Sequence, residues 1–243
     1  MTDSPGVHAV FHAYEPAHLV VLGLTVAFTT TLILLTWAGR ERLVRPLEVA
    51  LALVLFLNWP IGLWVTSSKG TLSASYSLPL QLCDVGAILG GVALLWRRPL
   101  ICELLYFWGL AGTLQGLITP NLDVTWPNPR FISFFLLHSG VVAAALQIVF
   151  GRRIAPRPGA VWRAMAWIIV YALVVGAADA IIYYGLDDRD VNYGFLCAKP
   201  AVASLLDALG PWPWYLVALV GVAFVFFSVL NLPFMLRRRG SRS

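Results

Sequence analysis

The stretch LPLQLCDVGAILGGVALLWRRPLICELLYFWGLAGTLQGLIT, residues 78–119, decides the fold. Two apolar runs, Leu78 to Trp96 and Leu100 to Thr119, flank Arg97-Arg98-Pro99. Each run has roughly the 20 residues that a helix needs to cross a hydrocarbon core about 30 Å thick. The three residues between them suit a tight turn between antiparallel helices, with two charges at a membrane surface. Outward from this pair the pattern repeats. Further runs extend from Leu19 to Ala38, Pro46 to Thr66, Phe131 to Phe150, Val161 to Tyr184 and Trp212 to Leu236, which makes seven. Inside a bilayer every backbone N–H and C=O must be satisfied by the protein, so helix is the expected state of each run. The short alternating strands of a membrane barrel are not seen in the sequence. The chain therefore reads as an all-α, polytopic integral membrane bundle, with residues 1–243 as one transmembrane domain.

Composition agrees. The chain is 59% hydrophobic and only 12% charged, with a mean hydropathy of +0.79. A soluble globule of this length needs a more polar exterior. The polar start before Leu19 carries no Lys or Arg and does not read as a signal peptide. Basic residues alternate between loops. Arg40, Arg42, Arg45, Arg97, Arg98, Arg152, Arg153, Arg157, Arg163 and four C-terminal arginines fall on one side; Lys69, Arg130, Arg189 and Lys199 fall on the other. The ratio of 13 to 4 predicts an outer N-terminus and a cytoplasmic C-terminus, in a multi-pass protein of the cell membrane. The net charge of +5 then reflects topology and contact with anionic lipid, not nucleic acid. One long connection, residues 185–211, lies on the outer side and is a candidate lid or binding loop.

Polar groups inside the spans are costly and so are candidate functional residues. Asn58, Gln81, Cys83, Asp84, Gln115, His138 and Asp179 all fall in the half nearer the outer side. Glu48, Glu103 and Asn231 fall near the cytoplasmic side, where the two glutamates are expected to pair with arginines. The rest of that half reads as Leu, Val and Ala. Structural readings stand beside functional ones: Asn58 and Gln115 suit hydrogen bonds between helices, Asp179 suits a structural pairing, and a lone intramembrane His also serves as glue. Counted from the expected helix ends, Cys83 and His138 lie about 8 and 11 Å deep. A thiol beside an imidazole can be activated as a nucleophile for acyl transfer. A Cys83–Cys197 disulfide is an alternative, and Cys102 reads as packing. His8, His12 and His18 in the N-terminal segment lack the paired spacing of a metal site, and no cofactor is expected.

Four segments carry a resemblance. They are Leu78-Pro79-Leu80-Gln81-Leu82-Cys83-Asp84, the run Tyr106 to Pro120, Arg130 with Phe135-Leu136-Leu137-His138, and Asn192-Tyr193 through Lys199-Pro200. In this order they resemble the bacterial YwaF-type integral membrane proteins, a family similar to the animal transmembrane protein 164. The resemblance runs from about Asn58 to Trp214. It implies a lipid acyltransferase-like activity, since the animal relative is associated with moving a fatty acyl group between phospholipids. On this resemblance Cys83 is the acyl-accepting nucleophile and His138 the general base, while Asn192 and Tyr193 match a family motif.

Both lines meet in one expected mechanism. A phospholipid enters from the outer leaflet, and membrane lipids are acyl donor and acceptor through a thioester on Cys83. Gln81, Gln115 or Asn58 stabilises the oxyanion. Arg130, Asn192, Tyr193 and Lys199 hold the head group, and Asp84, Asn121 and Asp179 complete the candidate substrate-binding set. A rival class is a transporter of a proton or small solute using Asp84, Asp179 and His138. A third is a non-catalytic membrane scaffold. A retinal protein is not expected, because both lysines, Lys69 and Lys199, fall in outer loops and the last helix has no Schiff-base amine.

Overall fold

Proline and glycine set where most helices begin. The computed structural model describes residues 11–200 and 205–240; His8 lies outside them. Helix α1, Pro16–Trp37, starts on a proline at its first turn, where the missing N–H is harmless. Helix α2 is Glu41–Ser68, entered through Gly39 at φ +69°. The expected start at Pro46 is corrected, because Pro46 and Pro60 both lie inside α2. Each proline removes one backbone bond, and packing holds the rest of the helix. Helix α3, Leu82–Trp96, ends on Arg97 in the left-handed region, and Pro99 opens helix α4, Pro99–Ile118. The expected tight turn is thus present. Helix α5 is Pro129–Gly151, with Asn128 capping the Arg130 N–H at 2.9 Å. Helices α6, Ala160–Gly185, and α7, Trp214–Gly240, complete the seven. Among the described residues there is no strand.

The third helix differs from expectation. It starts at Leu82 rather than Leu78 and has 15 residues, about 22 Å of length. Leu78 and Gln81 are extended, at ψ 148° and 147°. The residue before a proline is pushed out of the helical region, and Leu78 precedes Pro79. The other six helices are long and apolar enough to cross a bilayer.

Burial separates inner from outer helices. In their most apolar stretches α4 and α5 are 61% and 67% buried, against 11–22% for α1, α2, α6 and α7. Helix α3 packs between α2 and α5, and α1 lies on α2 and α5. At one end the arginines converge on two buried carboxylates, as expected. Glu48 is fully buried and meets Arg152 at 2.6 Å, Arg97 at 3.2 Å and the Gln147 amide at 2.9 Å. Glu103 meets Arg157 at 2.8 Å and Arg163 at 2.9 Å. Pairing and full hydrogen bonding offset the desolvation of each charge.

Helix α1 turns many apolar side chains outward and buries His18 and Thr25 in the half away from the arginines, and Thr29 and Leu32 in the arginine-side half. Thr25 Oγ1 donates to Ser139 Oγ at 2.7 Å, and Gln147 Nε2 donates to Thr36 Oγ1 at 2.8 Å. Such bonds hold helices together where lipid offers no competing hydrophobic drive.

Candidate functional site

Two tyrosines from distant segments hold the extended entry to α3. The Tyr193 hydroxyl accepts from the Leu78 N–H at 2.9 Å and donates to the Ala74 carbonyl at 2.8 Å. Tyr171, on α6, donates to the Leu80 carbonyl at 2.8 Å. Gln81 Oε1 accepts from the Gly194 N–H at 3.0 Å. Non-helical backbone at this depth is tolerated only when protein satisfies it, and these side chains do so. Tyr193 is fully buried, so burial raises its phenol above the usual range and keeps the O–H as a donor.

Cys83 follows as the second residue of α3, half-buried and a free thiol. Cys102 and Cys197 are free as well, so the disulfide alternative is not formed. His138 lies on α5 and is 7% exposed, with its ring stacked on Phe134 at 4.0 Å between centroids. Its Nδ1 is 2.7 Å from the Phe134 carbonyl. A carbonyl can only accept, so in the neutral ring Nδ1 carries the proton and Nε2 keeps its lone pair. Nε2 faces Gly116, where an added Cβ would lie 2.8 Å away. The bare glycine is what leaves room for the ring.

Gly86 fixes the relative height of the two residues. A Cβ there would lie 3.4 Å from Val141 Cγ1 and 3.4 Å from Thr113 Oγ1. Helices α3 and α5 both start at the end away from the arginine clusters and so run parallel. Cys83 stands about one turn before Gly86, and His138 about one turn before Val141. The thiol and the imidazole are therefore level on neighbouring helices. No hydrogen bond joins them, since the imidazole turns toward Gly116. The expected helix ends put the two residues at a similar depth for a different reason. Measured from the real starts at Leu82 and Pro129, His138 is about two turns deeper into its helix. Helix α5 stands taller at this end because α3 unwinds early.

The family model described as TMEM164 family matches residues 13–231. The chain belongs to the TMEM164 family. It is also 25% identical over 239 residues to a protein of Treponema pallidum (strain Nichols) that is described as uncharacterized. That alignment covers 95% of this chain and 93% of the relative. No solved structure matches.

The remaining predicted residues of this TMEM164-family chain divide by how they are engaged. Asn58 donates to the Ser133 carbonyl at 3.0 Å and accepts from Ser133 Oγ at 3.3 Å, which ties α2 to α5. Asp179, 1% exposed, accepts from the Tyr193 N–H at 3.3 Å and lies 3.6 Å from Cys197 Sγ. Asn192 Oδ1 accepts from the Cys197 and Ala198 N–H groups at 3.1 and 3.0 Å, and so shapes the loop from within. Arg130 pairs with Asp123 at 2.9 Å on the surface. Lys199 sits over the Tyr215 ring at 5.7 Å. Asn121 is exposed. Asp84 is half-buried in the first turn of α3, beside Cys83. Gln115 is half-buried, and among the described residues no hydrogen bond engages its amide.

Sequence reading missed three residues here. His18 falls in the polar lead segment of the sequence, yet it is fully buried, with Nε2 2.9 Å from the Leu117 carbonyl. Its heptad spacing from Thr25 was the available signal. Tyr171 carried none. Thr113 lies in a π-turn, Gly109–Thr113, and its buried hydroxyl has no partner among the described residues. Such turns recur at functional sites.

Proposed function

We propose that this protein transfers fatty acyl groups between membrane phospholipids, with Cys83 as nucleophile and His138 as general base. In this reading the end carrying both residues opens to the outer leaflet, the N-terminus is outside and the C-terminus is cytoplasmic. One observation supports it above others: Cys83 and His138 are level on adjacent helices, and the lone pair on His138 Nε2 is uncommitted.

The steps follow from those atoms. The imidazole swings from Gly116, and Nε2 takes the Cys83 S–H proton. The thiolate attacks the ester carbonyl carbon, and the collapsing intermediate expels the lysophospholipid oxygen, which takes the proton back from the imidazolium. An acyl thioester remains on Cys83. A hydroxyl of a second lipid then attacks it, Nε2 accepts that proton, and the departing thiolate is reprotonated. Asn58 and Gln81 are already bonded within the protein, so Gln115 is the amide free to stabilise the oxyanion. No cofactor, metal or nucleic acid takes part.

Reconstituted protein in vesicles of isotope-labelled phospholipid tests this. Cys83→Ser and His138→Ala should each reduce acyl exchange by about 100-fold or more. Equal exchange in wild type and both variants would sink the assignment.

A second reading, a path for a proton or small solute, draws on the buried polar stripe of α1. Flux in proteoliposomes that requires Asp84 but not Cys83 would favour it.

A further inference from the structure

A hollow of 430 Å³ lies between α1, α2 and α5, on a different flank of α5 from the imidazole. Leu24, Phe28, Ala50, Leu51, Ile132 and Leu136 line it, and Trp126 stands at its mouth. Leu51 and Gly140 in the lining mark the α2–α5 contact, where a Cβ on Gly140 would lie 3.4 Å from Leu51 Cδ1. The wall holds two hydroxyls, Thr25 and Ser139, and these bond one another.

Size decides what fits. The lining runs from Phe131 to Ala143 on α5, about 18 Å along the helix axis. One leaflet of hydrocarbon is about 15 Å deep. Spread over that length, the volume admits atom centres over a cross-section of about 24 Å², which is a channel about 8 Å wide once a water radius of about 1.4 Å is added on each side. A helix 10–12 Å wide needs about 80 Å² or more, so a span of a second copy does not enter. A hydrocarbon chain, about 4–5 Å across at carbon contact distances, does. The hollow is continuous with the lipid-facing surface, since Leu24 is 64% exposed and Leu136 is 49% exposed.

We infer that this groove is a binding site for one acyl chain of a membrane phospholipid, with the head group at the Trp126 end. It is separate from the thiol site and does not depend on acyl transfer.

Photo-crosslinking tests it. The full chain is reconstituted in vesicles holding a phospholipid with a diazirine at mid-chain, and adducts are mapped by mass spectrometry. Adducts should concentrate on residues 21–28 and 131–143. Ala50→Trp, at an exposed position, fills the groove and should reduce them at least fivefold; Ala177→Trp, exposed on α6, should not. Leu24→Trp serves as a second filling variant should Ala50→Trp lose thermal stability. Adducts spread evenly over all lipid-facing helices, or unchanged in the filling variants, would overturn the site, as would cross-links between two copies through this face.

Discussion

Gly116 and His138 are in direct contact, and a Cβ on Gly116 would lie 2.7 Å from Cδ2 and 2.8 Å from Nε2 of the ring. Real Cβ atoms do not approach so closely, so Gly116→Ala must displace the imidazole. Because the ring leaves Gly116 to reach Cys83, acyl exchange should change at least tenfold in that variant, and an unchanged rate would show that the swing does not limit exchange. In a His138→Ala background the same substitution should change nothing further. A full additional loss in the double variant would show that Gly116 acts elsewhere.

Tyr193→Phe removes the hydroxyl that serves both Leu78 and Ala74. A buried N–H left without a partner costs about 1–3 kcal/mol. The expected result is a lower thermal midpoint in detergent and faster amide exchange confined to residues 74–81. Uniformly faster exchange along α3 would mean that the tyrosine supports the whole helix rather than its unwound entry.

Glu48 and Glu103 are both buried, yet their partners differ. Arg152 is 9% exposed, whereas Arg157 and Arg163 are 49% and 36% exposed. Glu48→Gln leaves the buried Arg152 guanidinium with Glu41, a mostly exposed carboxylate, as its charge partner, so the loss should lie near the lower end of the roughly 3–5 kcal/mol for breaking a buried pair. Glu103→Gln leaves arginines that water reaches, so its midpoint should drop less. Equal drops would show that hydrogen-bond count, not desolvation, sets the penalty.

Orientation is open to chemical labelling. Cys197 is an exposed thiol at the end away from the arginine clusters. A membrane-impermeant maleimide added to intact cells should modify it, while a cysteine placed at Arg40 should react only after permeabilisation. The reverse pattern would invert the proposed topology.

How far local sequence carries can be read from particular residues. Runs of apolar residues and the Arg97-Arg98-Pro99 turn act over one or two turns of chain; each run gives a helix and the turn is present, although α2 starts before Pro46 and α3 after Leu78. The pairing of Glu48 and Glu103 with arginines was legible for a related reason: a carboxylate that deep needs a partner, and the loops offered only arginine. The unwound entry to α3 was not legible. Its carbonyl and N–H partners come from Tyr171 and Tyr193, about ninety residues or more away in the chain. The state of His138 was equally hidden, since it depends on a carbonyl within its own helix and on a glycine of α4 that leaves room for the ring. By itself the sequence determined that the chain is a seven-helix membrane bundle with a Cys, a His and several amides gathered toward one end, because hydrophobicity and turn chemistry are local. Only the tertiary structure decided that Cys83 and His138 stand level, that Asn58, Gln81 and Asn192 are already engaged, and that Gln115 and Thr113 are not. Those outcomes depend on which helices touch and at what height, and that is set by packing between distant segments.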